Sequence, residues 1–82
     1  MLIVGLATPV PAAIITAAPH PDAGYILLKN GDGKNLSLNQ DTPPQFSWTD
    51  NAGAWERFQD GGNMWVAVRD NGTWAIVKGS TL

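Results

Sequence analysis

The chain is predicted to be all-β: a small antiparallel β-barrel with an extended N-terminal arm. Three observations predict it. Short apolar alternations recur from Tyr25 onward, and a Gly/Asn/Asp turn closes each of them, the signature of antiparallel strands. Asn71-Gly72 is a strong two-residue hairpin signal. Residues 1–24 lack the alternation and carry Pro9, Pro11, Pro19 and Pro21, which excludes a regular helix there. The organisation is therefore an apolar Pro/Ala-rich arm, residues 1–24, and a β domain, residues 25–82.

In chain order, the arm comes first. Thr8-Pro9-Val10-Pro11 and Ala18-Pro19-His20-Pro21 favour β or polyproline geometry at and before each proline. Leu2, Ile3, Val4, Leu6, Ile14 and Ile15 need cover, so the arm is expected to pack on a sheet of this chain or to add to a neighbouring subunit. A membrane span needs about 20 apolar residues in one helix, and the prolines argue against one. A signal peptide, which would make the protein secreted, is the rival reading. It wants a basic start and an unbroken apolar core, whereas no Lys or Arg precedes Lys29.

Strands are expected near 25–29, 35–39, 45–49, 55–59, 64–69 and 73–78, a spacing that suits a meander or barrel. With Asn71-Gly72 as the loop, Arg69 faces Trp74, Val68 faces Ala75, Ala67 faces Ile76 and Val66 faces Val77, and facing residues share a side of the sheet. Val66, Val68, Ala75 and Val77 form a small, wholly apolar side, assigned to the core. The other side carries Trp65, Ala67, Arg69, Trp74, Ile76 and Lys78. It is too apolar for plain surface and is expected to be covered by protein or by a ligand such as a glycan. Trp65, Arg69, Trp74, Ile76 and Lys78 are therefore the candidate binding or interface residues, with cation–π contacts expected for Arg69 on Trp74 and Lys78 on Trp65.

Ala54-Trp55-Glu56-Arg57-Phe58, with Gly33-Lys34-Asn35-Leu36 before it and Trp65-Val66-Ala67-Val68 after it, resembles a repeat of the fascin-like β-trefoil family. The resemblance runs over residues 24–78, the length of one full repeat plus the first hairpin of the next. It implies trefoil-like packing, Trp55 and Phe58 in the core with Val66, Val68 and Val77, and a non-catalytic role. Truncating Trp55 is then expected to cost about 3–5 kcal/mol, as for a core aromatic. A complete trefoil needs three repeats, so further copies would have to complete the fold.

The chemistry-bearing residues are few. The 82-residue chain has no cysteine and one histidine, so disulfides, a Cys nucleophile and a zinc site are excluded. Ser37, Ser47 and Ser80 lack a Gly-x-Ser-x-Gly setting. Asp41, Asp50, Asp60 and Asp70 sit at turns, where Asp bonds its own backbone, and His20, between prolines, reads as a surface residue. Asn30-Gly31-Asp32-Gly33-Lys34 is neither a phosphate loop nor a calcium loop. Asn35-Leu36-Ser37 and Asn71-Gly72-Thr73 match glycosylation acceptors. The net charge is −2 and Lys29, Lys34, Arg57, Arg69 and Lys78 are scattered, which argues against nucleic-acid binding.

These features point to a protein that is not an enzyme and uses no cofactor or metal. A chain this short gains stability by oligomerising. The expected role is a structural subunit of a larger assembly, such as a decoration or cement protein on a viral or phage shell. Subunits would contact one another through the arm, and deleting residues 2–18 would weaken assembly. The alternative is a carbohydrate- or protein-binding trefoil-type module, and a small secreted enzyme or inhibitor is the weakest fit.

Overall fold

A computed structural model of the protein describes residues 2–3, 15–70 and 72–78. In order these form β1 (Leu2–Ile3), β2 (Thr16–Pro19), β3 (Ile26–Lys29), β4 (Asn35–Leu38), β5 (Phe46–Thr49), a 3-10 turn (Ala54–Glu56), β6 (Gln59–Asp60), β7 (Met64–Arg69) and β8 (Gly72–Val77). The protein is all-β. Two four-stranded sheets run β2-β3-β4-β5 and β1-β8-β7-β6. Neighbours are antiparallel, except that β1 lies parallel to β8, with Leu2 beside Thr73 and Ile3 beside Trp74.

The first sheet is built on turn chemistry. Asn30 Oδ1 accepts the backbone N–H groups of Asp32 (2.9 Å) and Lys34 (3.0 Å), closing the β3–β4 turn as an Asx motif does. Gly33 completes it at φ +77°, a conformation that costs glycine little and other residues much. β4 is buried on both faces, with Leu36 and Leu38 on one and Asn35 and Ser37 on the other. Burial of Asn35, at 5% exposure, removes it as a glycosylation acceptor, while Asn71 lies outside the described residues.

The two sheets are joined at one point. Ile26 and Phe58 exchange both backbone hydrogen bonds, at 2.9 and 3.1 Å, while the next residues, Gln59 and Asp60, pair with Val66 and Trp65 of β7. The segment from Phe58 to Asp60 thus belongs to both layers. The core between them is Leu28, Leu36, Leu38, Phe58, Ala67 and Ile76, with Ile15, Ile26, Phe46, Trp48, Trp65 and Trp74 packed around it.

The arm boundary expected after residue 24 is corrected. β2 pairs along its whole length with β3, Thr16 with Lys29 through Pro19 with Ile26, and Ile15 packs on the core, so residues 15–24 belong to the β domain. The described parts of the arm use their backbones within this chain. Val4, Leu6 and Ile14 lie outside the described residues.

The hairpin assignment is also corrected. Arg69 pairs with Gly72, Ala67 with Trp74, Val66 with Ala75 and Trp65 with Ile76, so the loop lies one residue earlier than Asn71-Gly72, and Gly72 enters the strand at φ +135°. The two sets of side chains keep their composition, because moving the loop by one residue changes each partner by two and preserves the side. Their destinations are reversed. Ala67 and Ile76 are 1% and 7% exposed, whereas Val68 and Val77 are 58% and 50% exposed. Volume explains the reversal: two tryptophans and an isoleucine fill the space between sheets better than four small side chains, and an indole buries about 150–250 Å². Val66 is half-buried for a local reason. The turn after β6 folds against it, and a Cβ on Gly61 would sit 2.7 Å from Val66 Cγ2.

Candidate functional site

The five residues expected to form a binding surface turn inward or are committed to the fold. Trp65 and Trp74 pack against the core and Ile76 is within it. Lys78 reaches Trp65, its Nζ 4.1 Å from the ring centroid, and also pairs with Asp60 Oδ1 at 2.8 Å. That ammonium, helped by the Gly62 N–H, holds the Asp60 carboxyl below the ordinary carboxylate range. Arg69 stacks over Phe58 at 5.5 Å. Both cations lay their stems along apolar surface and place their heads at polar partners.

Trp55, expected in the core, is 48% exposed, while Phe58 is 1% exposed. The 3-10 turn between β5 and β6 separates them: Glu56 and Phe58 point inward and Trp55 outward. The loop carrying Trp55 is held from beneath with unusual completeness. Asn35 Nδ2 donates to Asn51 O at 2.9 Å and His20 Nε2 to Gly53 O at 3.0 Å. Arg69 Nη2 donates to Trp55 O and Nη1 to Arg57 O, both at 2.9 Å. Every second carbonyl from residue 51 to 57 is therefore captured by a side chain from elsewhere in the fold. From within the loop, Glu56 Oε1 accepts the Gly53 N–H at 2.7 Å, the carboxylate half of a capping box.

Each pin is itself placed by the fold. His20 follows β2, and its Nδ1 accepts the Asp22 N–H at 2.8 Å, which leaves Nε2 as the protonated nitrogen that donates to Gly53. Its ring is buried, not on the surface as its flanking prolines suggest. Asn35 is oriented by Lys29, whose Nζ donates to Oδ1 at 2.8 Å. Burial pushes the Arg69 guanidinium below its ordinary value, opposed by the nearby Glu56 carboxylate, and its Nε is buried without a hydrogen-bond partner among the described residues.

Two surfaces result. One is the outer face of β7–β8, where Met64, Val66, Val68, Thr73, Ala75 and Val77 present no charged group. The other is the Trp55 loop, which borders an open cleft of about 590 Å³ lined by residues 51–56. Among the described residues no three His, Cys, Asp or Glu side chains come together as metal ligands would, and no helix is long and apolar enough to cross a membrane. Sequence signals for the pins were present but short: Glu56 three residues after Gly53, and an Asp two residues after His20. Nothing in that spacing connects His20 with Gly53 or Arg69 with Trp55. Compared with family models, curated proteins and solved structures, the chain matches none.

Proposed function

We propose that this protein is a non-catalytic structural subunit of a larger assembly, and that the outer face of β7–β8 is where it packs on a second copy of itself. The observation that carries the proposal is the exposure of Val68 and Val77, at 58% and 50%, within a set of six side chains that includes no charge. Protein interfaces are depleted of charge at their centres, and two copies of an uncharged face meet without like-charge repulsion. A shell or lattice, such as a viral or phage particle, is the setting that suits many copies of a small non-catalytic subunit.

Arm deletion is a poor test, because removing residues 2–18 also removes most of β2. The better test is light scattering over a concentration series for the wild type and a Val68→Lys/Val77→Lys double variant. The proposal expects a defined oligomer for the wild type and a folded monomer for the variant. A wild-type monomer at every concentration, or an oligomer indifferent to the substitutions, would refute it.

A further inference from the structure

We infer that the Trp55 loop is a second, independent site, built to stack a neutral carbohydrate ring. The first argument is preorganisation. A loop that only had to connect β5 to β6 would not need Asn35, His20 and Arg69 to take up its alternate carbonyls, nor Glu56 to close its start. Holding it places His20 and Glu56 at 6% and 4% exposure and leaves Arg69 Nε without a hydrogen-bond partner among the described residues. Buried polar groups are tolerated when they fix a geometry, and here the geometry fixed is that of the backbone beneath a half-exposed indole. A loop backbone already held in place loses little freedom when a ligand docks.

The second argument is the chemistry of the surroundings. Ala52, Gly53 and Ala54 flank Trp55 with small exposed residues, so nothing large competes for the space beside the ring. The side-chain amide of exposed Asn51 can both donate and accept. Lys34 is paired with Asp50 at 2.7 Å, and the Glu56 carboxylate, 4% exposed, is turned into the fold where it accepts the Gly53 N–H, so the surface beside Trp55 offers small uncharged side chains with the polar edge of Asn51. A ring with a C–H face and hydroxyl edges matches both features. Its face lies on the indole and a hydroxyl reaches the Asn51 amide.

The experiment is a titration of the intact protein with methyl glycosides of glucose, galactose, mannose and N-acetylglucosamine and with their trimers, read by saturation-transfer NMR and calorimetry. Saturable binding of at least one sugar is expected. Trp55→Ala should weaken it about tenfold or more, Trp55→Phe by less and Asn51→Ala by a few fold, each with the wild-type unfolding midpoint retained. The Val68→Lys/Val77→Lys variant should bind the sugar as the wild type does, which separates this site from the assembly face. Absence of saturable binding by any of these sugars, or binding that Trp55→Ala leaves intact, would overturn the inference.

Discussion

On the inner face of the β7–β8 hairpin, Trp65, Trp74 and Ile76 pack into the space between the sheets, and Arg69 and Lys78 are tethered beside them by carbonyls and a carboxylate. The outer face, though free of charge, leaves Val68 and Val77 in the open. The more polar side is thus the buried one. Hydropathy alone ranks the faces the wrong way, because it counts Arg and Lys as surface residues without asking where their heads can reach. What decides is volume for the tryptophans and a polar partner at the rim for each cation.

The sharpest way to break this comparison is to truncate the aromatic within the 3-10 turn and the one just after it. Phe58→Ala should cost about 3–5 kcal/mol, since it empties the centre of the core, whereas Trp55→Ala should cost within about 0.5 kcal/mol as a surface change. Urea unfolding of both variants checks it, and equal losses would return Trp55 to the core. Arg69→Met comes next, at about 1.5–3 kcal/mol, because it strands the carbonyls of Trp55 and Arg57. Arg69→Lys should recover only part of this, lacking the fork that holds both. His20→Ala should cost about 1–3 kcal/mol by freeing the Gly53 carbonyl and the Asp22 N–H.

The smallest effect concerns pH. The Asp60 carboxyl is held below its ordinary range by Lys78 and by the Gly62 N–H. Its contribution is therefore present above the unfolded value of about 3.9 and disappears as pH falls through the lower folded value. Lys78→Met should flatten the acid side of the stability curve slightly and leave neutral and alkaline stability without added slope. A variant whose acid limb matches the wild type would remove this ion pair from the account.

How much was legible in the sequence depends on range. The all-β class, the Asn30 turn and the place of β7 and β8 follow from local patterns a few residues long. The sign of the hairpin was not legible, because alternation divides side chains into two sets without saying which set faces in. β2 was hidden by prolines at the end of a strand that sits at the sheet edge, where proline is tolerated. The exposure of Trp55 depends on His20 and Arg69, which lie 33 residues from Gly53 and 14 from Trp55 along the chain. No local pattern reports such contacts.

The central claim is that Trp65, Trp74 and Ile76 face the core and Val68 and Val77 face a second copy. The chain has no cysteine, so single substitutions Val68→Cys and Ile76→Cys each introduce one thiol, and the measurement is its rate of maleimide labelling as protein concentration rises. The account predicts fast labelling of Val68→Cys in dilute solution, slowing as copies associate, and slow labelling of Ile76→Cys throughout. Faster labelling at 76 than at 68 would reverse the faces, and a rate at 68 that ignores concentration would leave the face exposed but not an interface between copies.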